Sequence, residues 1–461
     1  MEQSREEILT LIHGLEQKYD LVDWKEQGIH IWPLVRIAIF NELTEKKVTS
    51  KRNKVAARNG LIVIFHGLKE LFFVKKNVKK TFSLFFASQA HRQEVNGVNY
   101  NRFADPLMDD FEICTSDIQL LFETSKQNKY TTDNYKGKRL VNLSAVLDLL
   151  HLLATFKQKY RPIALNIELK LQQLKELPFD IRKKVSKKLN NQLKHISVYE
   201  QFSSWLLRSY KGEQVFFVCY YGLFNMCLIS KARKLGIKTV DIQHGVINDK
   251  HIAYEFRQLP NGGYNCLPHE FWTWTTYESD SINRWANVSN QHKAYTKGNP
   301  WIDAVQQGKI DFGHLPTLIQ HESKPIILYS LSNRDDIFPD FLIHTVKHFQ
   351  GQYSFWFRLH PRQLAFRKEI EEQLKALGIF DLVELERANN LPLPLILSYT
   401  RLHITQFSTV VLEAAYFKVP SILFHTLGRT YFEYNPLKEY FYFYQEEDNR
   451  SFDKLLKSIV Q

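Results

Sequence analysis

Residues Lys238–Asp249 read Lys-Thr-Val-Asp-Ile-Gln-His-Gly-Val-Ile-Asn-Asp, and the prediction of the fold starts from this segment. Apolar and polar residues alternate in its first half, which is typical of a short β-strand, and Gly245 ends the strand. A helical segment, Leu223–Leu235, and before it an apolar strand-like run, Val215–Tyr221, precede this segment. A strand, a helix and a second strand in this order predict a right-handed crossover and a parallel sheet.

Polar side chains gather where this strand ends. In open parallel sheets, ligands bind at the carboxyl ends of the strands, so Asp241, Gln243 and His244 would face one crevice. Val240 and Ile242 should point into the core, which turns Asp241 away from it. Asp241 and His244 are the candidate catalytic residues. The alternative is an ordinary polar strand end with a capping Asp and a hydrogen-bonded His.

Composition and charge narrow the class of protein. The chain has 461 residues, enough for two domains, and is 44% hydrophobic and 24% charged, as a globular protein is. Its net charge of +12 favours an acidic partner such as a phosphate-bearing substrate or an anionic membrane. No nucleic-acid-binding motif is present, so no nucleic-acid partner is expected. No Cys or His spacing predicts a metal site. The charged N-terminus and the absence of an 18-residue apolar run predict a cytoplasmic protein.

The stretch 46–80 mixes lysines and arginines with large apolar residues at helical spacing. One interpretation is a helix that docks on the anionic cytoplasmic face of the inner membrane. The other is a buried helix with a solvated basic face. Both stay open from the sequence.

The rest of the chain repeats the strand-and-helix pattern. Residues 2–45 and 144–208 are predicted to be largely helical. The first central strand, Thr81–Ser88, runs into a polar loop that holds His91 and Arg92. Further strands are predicted at Asp110–Cys114, Leu140–Leu143, Phe271–Thr275, Ala294–Lys297, Pro325–Ser330, Ser354–Leu359, Leu402–Thr405 and Val419–Phe424. This alternation, seen twice, predicts two doubly wound α/β domains facing a central cleft.

The second half has three polar strand ends. Ser330 and Ser332 follow one strand, and His360 follows the next, directly before a proline. Arg358 and Arg362 flank the histidine, and two guanidiniums with an imidazole suit a phosphate. No GxxxxGK[ST] or GxGxxG motif is present, which gives no support to an ATPase or an NAD enzyme.

The third strand end holds Ser408 and Thr409, where a strand turns into a helix. Either residue suits the N-cap, and free N–H groups there favour an anion. Glu413, one turn on, could accept hydrogen bonds from ribose hydroxyls. The alternative is an ordinary cap with an acidic residue in the first turn.

Four motifs together resemble bacterial glycosyltransferases of the GT-B fold that build capsule and lipopolysaccharide O-chains. They are Asp-Ile-Gln-His-Gly-Val-Ile, Gly-Asn-Pro, Arg-Leu-His-Pro-Arg and Ser-Thr-Val-Val-Leu-Glu-Ala-Ala. The His-Pro pair and the Ser-Thr helix start look like the nucleotide-binding motifs of polysialyltransferases, Kdo (3-deoxy-manno-octulosonic acid) transferases and CDP-glycerol polymerases. Ile31–Arg36, Ile-Trp-Pro-Leu-Val-Arg, is also similar to capsule-synthesis proteins.

The resemblance implies a division of roles. His360, Ser408 and Thr409 would bind the cytidine nucleotide, and Asp241 or His244 would act on the acceptor hydroxyl. The acceptor side would include His91, Arg92, Gln243, Gly245 and Asn299. The implied domains are a helical basic extension at 1–80, an acceptor domain at 81–297 and a nucleotide-sugar domain at 298–461. GT-B enzymes generally need no bound metal, so no cofactor is expected.

The implied activity is transfer of a sugar, best Kdo or another CMP-activated acid sugar, to a glycan or lipid-linked glycan acceptor. Asp241 as general base, Asp241 as nucleophile and His244 as base all stay open. Three other functions also stay open. They are a CDP-alditol phosphotransferase, a UDP-sugar transferase or 2-epimerase of the same fold, and a non-enzymatic binding protein of capsule export.

Overall fold

The computed structural model describes residues 5–44, 60–115, 118–124, 140–158, 167–332, 336–446 and 448–460. The chain divides into two compact units. The first comprises Met1–Arg92 and Tyr100–Pro300, and the second comprises Gln93–Asn99 and Trp301–Gln461. The division of the first unit at residue 80 stays a prediction, and the basic residues 46–59 lie outside the described part of the chain.

Seven parallel strands form the sheet of the first unit. The strands up to residue 296 are β1 (Lys25–Glu26), β2 (Ile29–His30), β3 (Thr81–Ser88), β4 (Arg92–Val95), β5 (Val98–Asn101), β6 (Ile118–Thr124), β7 (Leu140–Asn142), β8 (Gln214–Val218), β9 (Lys238–Ile242), β10 (Glu270–Thr273) and β11 (Lys293–Thr296). The large sheet has the order β11-β10-β9-β8-β3-β6-β7, while β1–β2 and β4–β5 are separate pairs. Because the chain winds from β3 first to one side and then to the other, the switch point lies between β3 and β8.

Helices cover this sheet and supply much of its core. They are α1 (Arg5–Lys18), α2 (Trp32–Thr44), α3 (Gly60–Asn77), α4 (Asp105–Thr115), α5 (Leu143–Gln158), α6 (Ile167–Gln172), α7 (Phe179–Leu193), α8 (Ile196–Ser209), α9 (Leu223–Lys234) and α10 (Thr276–Ala286). The segment that opened the sequence analysis is confirmed as β9, and α9 is its crossover from β8. Burying the apolar faces of the helices on the sheet gives the main hydrophobic driving force of this unit.

One prediction about this sheet is wrong, and one of its strands was not predicted. Asp110–Cys114, expected to be a strand, is helical and belongs to α4. The helix begins at Asp105-Pro106, where a proline costs no hydrogen bond, and Asp105 accepts the N–H of Asn101 (2.7 Å). The strand beside β3 is instead β6, whose run Leu120-Leu121-Phe122 is fully buried and was not predicted.

The N-terminal helices belong to the core of the first unit. Apolar residues of α1 and α2 share one cluster with those of the sheet. Trp32 donates its indole N–H to Glu16 (2.8 Å), and Arg36, fully buried, lies with its Nε 3.4 Å from the same carboxylate. The guanidinium also donates to the carbonyl of Glu255 (2.7 Å), whose carboxylate lies 2.6 Å from Nε2 of His13. The Ile31–Arg36 motif therefore has a structural role, because it joins α2 to α1 and to the backbone at Glu255.

The second unit has a six-stranded parallel sheet. Its strands are β12 (Ile326–Ser330), β13 (Ser354–Arg358), β14 (Val383–Glu384), β15 (Thr400–Thr405), β16 (Ser421–Leu423) and β17 (Phe441–Phe443). Their order, β14-β13-β12-β15-β16-β17, again places the first strand in the middle. The switch point lies between β12 and β15, so a ligand is expected at their carboxyl ends.

Nine described helices accompany this second sheet. They are α11 (Pro300–Gln306), α12 (Thr317–Gln320), α13 (Asp340–Phe349), α14 (Arg367–Ala376), α15 (Glu386–Asn390), α16 (Leu393–Leu397), α17 (Val410–Tyr416), α18 (Thr426–Phe432) and α19 (Asn449–Val460). Two apolar clusters pack on the two faces of the sheet, and the central residues of β12 and β13 are accordingly apolar. The predicted α/β class and the two doubly wound units are confirmed.

Candidate functional site

A cavity of about 660 Å³ opens at the switch point of the first unit. Residues at the ends of β3, β6, β8 and β9 line one side, and residues of α5, α7 and α8 line the other. Its polar lining includes the histidines His91, His151, His195 and His244. The described lining residues include no lysine, arginine or carboxylate.

Burial favours the uncharged form of three of these imidazoles, those of His151, His195 and His244. It lowers the pKa of His244 to about 4, and burial with the neighbouring His151 lowers the pKa of His195 to about 4. Burial also lowers the pKa of His151. The cavity therefore presents neutral hydrogen-bonding groups on an apolar wall, which suits an uncharged polar ligand.

His91 and His244 lie together at one end of the cavity, with ring centroids 5.5 Å apart. The hydroxyl of Tyr221, from the turn between β8 and α9, lies 3.2 Å from Nε2 of His244. His91 also packs edge-on against Phe103. The sequence predicted both histidines at this edge, and the structure brings them together.

Asp241 is placed differently from the prediction. Its carboxylate is only 1% exposed, where an outward orientation was expected. The carboxylate accepts the N–H of Tyr220 (2.9 Å) and the hydroxyl of Tyr254 (2.7 Å). Burial raises the pKa of Asp241 to about 8, although these hydrogen bonds oppose the shift. The outward orientation is wrong because loops on both sides of β9 enclose the residue; its catalytic role stays a prediction.

Other acceptor-side candidates have partners within the first unit. Gln243 is buried, and its amide donates to the carbonyl of Gly245 (2.8 Å) and accepts the N–H of Trp274 (2.7 Å). Arg92 pairs with the buried carboxylate of Glu123. Gln243 and Arg92 thus hold the loops around the two histidines in place.

Gly245 and Asn299 complete the acceptor-side set. Gly245 does not have a positive φ, and a Cβ added there would meet no atom within 4 Å. The backbone of the chain therefore does not itself require glycine at this position. Asn299 is buried in the turn after β11.

In the second unit, two buried serine hydroxyls stand at the end of β12. Ser330 and Ser332 are each 3% exposed, and neither Oγ has a hydrogen-bond partner among the described residues. An unpaired buried hydroxyl costs about 1–3 kcal/mol, so such groups call for an explanation. A ligand that supplies the missing partners is one.

Gln363 joins this strand end to the His-Pro loop. Its side-chain amide donates to the carbonyl of Ser332 (3.0 Å) and accepts the N–H of His360 (2.9 Å). The sequence analysis did not identify Gln363. The available signal was an amide three residues after a histidine, a spacing that favours a side-chain to backbone contact across a turn.

The hydrogen bonds of His360 fix its tautomer. Its Nδ1 accepts the N–H of Arg362 (3.2 Å), and a backbone N–H can only donate. In the neutral ring the proton therefore lies on Nε2, which is left as a donor. Burial and the nearby Arg362 lower the pKa of His360, so the neutral form is favoured.

The third strand end continues the same network. The hydroxyl of Thr405 donates to the carbonyl of Ser330 (2.8 Å) and accepts the N–H of Ser408 (3.2 Å). Ser408 Oγ in turn accepts the N–H of Val410 at the start of α17 (3.3 Å), whereas Thr409 makes no side-chain cap. Hydrogen bonds thus connect the carboxyl ends of β13, β12 and β15, and Glu413 lies in the first turn of α17.

The guanidinium of Arg358 forms hydrogen bonds to backbone carbonyls of the second unit. It donates to the carbonyl of Ala388 (2.6 Å), within α15, and to the carbonyl of Leu391 (2.9 Å), directly after that helix. Arg362 is exposed. Of the two arginines predicted to flank a phosphate, only Arg362 lacks such a structural task in the described residues.

The described side chains include no group of three or more His, Cys, Asp or Glu placed to hold a metal ion. Among the described helices, none combines the length and apolar character needed to cross a bilayer.

Comparison with known proteins identifies the fold. No protein-family model matches the chain, and no curated protein matches it. The UDP-GlcNAc 2-epimerase from Methanocaldococcus jannaschii is similar with a TM-score of 0.50 and 12% identity, over 83% of this chain and 93% of that chain. The wall teichoic acid polymerase TagF has a TM-score of 0.47 and 13% identity, over 87% of this chain and 86% of that chain. A further UDP-N-acetylglucosamine 2-epimerase has a TM-score of 0.48 and 14% identity, over 83% and 88%.

At 12% identity, the likeness to the archaeal epimerase shows the fold alone. Together with the strand orders, it defines a GT-B fold with two Rossmann-like units in one chain.

Proposed function

We propose that this protein is a glycosyltransferase that takes a sugar from a nucleotide donor and transfers it to a glycan acceptor. The nucleotide binds at the switch point of the second unit, where the hydroxyls of Ser330 and Ser332 have no hydrogen-bond partner among the described residues. This single observation carries the proposal, because buried hydroxyls at the carboxyl edge of a doubly wound sheet are where a nucleotide finds its polar contacts.

The phosphate contacts come from the His-Pro loop. Nε2 of His360 is a donor in the neutral tautomer, and the exposed Arg362 supplies a positive charge beside it. These groups stabilise the negative charge that develops on the leaving phosphate as the glycosidic bond breaks. Gln363 holds the loop against β12 so that the donors are positioned before the ligand arrives.

The acceptor binds in the histidine-lined cavity of the first unit. Because its described lining carries no formal charge at neutral pH, the sugar that enters it is uncharged. His244 is neutral and accessible, so it is the group we assign as the base that takes the acceptor's hydroxyl proton. Asp241 has a positioning role. Its carboxylate accepts hydrogen bonds from Tyr220 and Tyr254 and holds them beside Tyr221, whose hydroxyl contacts His244.

The donor we favour is CMP-Kdo or another CMP-activated acid sugar, and the acceptor is a surface polysaccharide or a lipid-linked glycan. This choice rests on the His-Pro and Ser-Thr motifs. A CDP-alditol phosphotransferase would use the same motifs and would also release CMP, so turnover assays with a CMP-activated sugar and with a CDP-alditol as alternative donors separate the two.

Ser332→Ala tests the nucleotide site. Since the hydroxyl has no partner to lose, the melting temperature without ligand should not fall. Affinity for the best nucleotide should fall about 2–10-fold, the worth of one hydrogen bond. Ser458→Ala is the matched control, because Ser458 Oγ bonds only the carbonyl of Leu455 at the far end of α19. Unchanged affinity in Ser332→Ala would reject the site.

His244→Gln tests the base. Turnover should fall at least about 10²-fold, while nucleotide affinity and melting temperature stay near those of the unaltered protein. Tyr221→Phe is the companion variant, because it removes only the hydroxyl that contacts Nε2. If His244→Gln keeps its rate, the proton acceptor is another group.

The second candidate function is a UDP-sugar 2-epimerase. It rests on the shared fold, which an archaeal UDP-GlcNAc 2-epimerase also has. An epimerase converts the sugar nucleotide without an acceptor, so product analysis with donor alone separates it from a transferase. A binding protein of capsule export would bind without either conversion.

A further inference from the structure

Helix α3 is apolar on two opposite faces. One face packs against α5, where Gly67 permits close approach because a Cβ there would lie 2.6 Å from Cβ of Leu149. Val63 and Val74 are buried on the same face. Glu70, on this face too, accepts the N–H of Asn142 (3.1 Å). This face belongs to the body of the first unit.

The opposite face carries large apolar side chains into solvent. Leu61, Phe65, Leu68 and Phe72 recur at intervals of four, three and four residues, which aligns them in one stripe. Their exposed fractions are 74%, 67%, 43% and 68%. A contiguous exposed apolar stripe of this kind marks an interaction surface.

Basic residues surround the C-terminal half of the stripe. They are the exposed residues Lys69, Lys75, Lys76, Lys79 and Lys80. No ion pair to a described residue neutralises any of them, and Glu70, the acidic residue of α3, faces α5. Over the part of the chain that the structure describes, this surface therefore combines apolar groups with lysines that form no ion pair.

We infer that this face of α3 is a docking surface for an anionic lipid bilayer. The helix lies flat in the interface, with Phe65 and Phe72 among the acyl chains and the lysines at the headgroups. Charge decides between this occupant and a second copy of the chain. Two copies paired through the stripe would bring their lysines together without an acidic partner on either helix, whereas anionic headgroups neutralise them.

The inference is independent of the proposed function, since it depends only on the first unit's surface. It requires no helix that crosses the membrane, because an interfacial helix buries one face only.

Co-sedimentation of the full chain with vesicles tests it. Vesicles of phosphatidylcholine with about 30% phosphatidylglycerol should bind the protein, and pure phosphatidylcholine should bind it less. Raising the salt from about 0.05 M to about 0.5 M should weaken binding, because screening shortens the range of the lysine–headgroup attraction. The double variant Phe65→Asp, Phe72→Asp should lose at least about tenfold in partitioning, since it removes both buried rings.

Phe179→Asp is the matched control. Phe179 is 71% exposed in the same unit but lies on α7, away from the stripe, so its variant should bind vesicles normally. Circular dichroism and melting curves should match across all variants, because none of these rings is in the core. Equal vesicle binding by the double variant, or no binding at low salt, overturns the inference. So does a dimer in sedimentation equilibrium that the double variant dissolves, since the stripe would then bind a second copy.

Discussion

The side-chain amide of Gln363 donates to the carbonyl of Ser332 across 3.0 Å, so one residue ties the His-Pro loop to the neighbouring strand end. The same amide accepts the N–H of His360. Gln363→Glu keeps the acceptor and removes the donor, which leaves two oxygens facing each other. We expect nucleotide affinity to fall about tenfold as the loop loses its position. Calorimetry on Gln363→Glu and Gln363→Ala measures this, and equal affinities to the unaltered protein would contradict it.

Substitution of His360 and of Arg358 should affect different properties, nucleotide affinity in the first case and stability in the second. His360→Ala should weaken nucleotide binding by about 1.5–3 kcal/mol, because it removes the Nε2 donor, and leave the melting temperature unchanged. Arg358→Ala should instead lower the free energy of unfolding by about 1–3 kcal/mol, because the carbonyls of Ala388 and Leu391 lose their donor. Urea unfolding and calorimetry on both variants give the comparison. A pure affinity loss in Arg358→Ala would place this arginine at the phosphate after all.

Asp241 should make stability depend on pH. Its pKa rises from an ordinary 3.8 to about 8 on folding, so the folded protein holds a proton that the unfolded chain releases. The stabilisation from this group is complete below about pH 4 and is lost as the pH rises towards about 8, at up to ~1.4 kcal/mol per pH unit. The side chain in the Asp241→Asn variant cannot ionise, so its free energy of unfolding should lack this dependence on pH. Unfolding free energies of both proteins at several pH values measure it; parallel curves would show that Asp241 is ionised when folded.

Arg36 should be one of the costliest positions to truncate. Arg36→Ala removes the cation between Glu16 and Glu255 and leaves both carboxylates without it, which should cost about 3–5 kcal/mol. Arg208→Ala, at an exposed arginine of the same unit, should stay within about 0.5 kcal/mol. Chemical denaturation of the two variants decides it. A small loss in Arg36→Ala would mean that water replaces the guanidinium.

Most of the fold could be predicted because strands buried on both faces are continuously apolar and helices keep their own period. The segments that became β3, β8, β12 and β13 contain such an apolar run, whereas those that became β9 and β15 alternate apolar with polar residues. The strand β6 was missed because the short helix before it contains apolar residues that a strand would also use. Strand register and the neighbouring elements decide whether such a segment forms a helix or a strand. Neither can be read from a single sequence.

The site could be predicted only in part. Strand ends locate His91, His244, Ser330, Ser332 and His360, because topology alone brings carboxyl ends to one edge. Where a side chain turns is set by partners distant in sequence. Asp241 is enclosed by Tyr254 from a following loop, and Arg358 is drawn to the carbonyls of Ala388 and Leu391. Alternating apolar and polar residues indicate which face of the sheet a side chain lies on. They do not indicate which other residues cover that face.

The contacts that join α1 and α2 to Glu255 also affect the order in which parts of the chain can fold. His13 and Glu255 are 242 positions apart in the chain, and Arg36 and Glu255 are 219 apart. At a synthesis rate of about 5–20 residues per second, a ribosome needs on the order of 10–50 seconds to cover that distance. During that interval the apolar faces of α1 and α2 have no completed core to enter. Helices α1 and α2 are therefore made well before Glu255, and they can reach their final place only after that residue has been made.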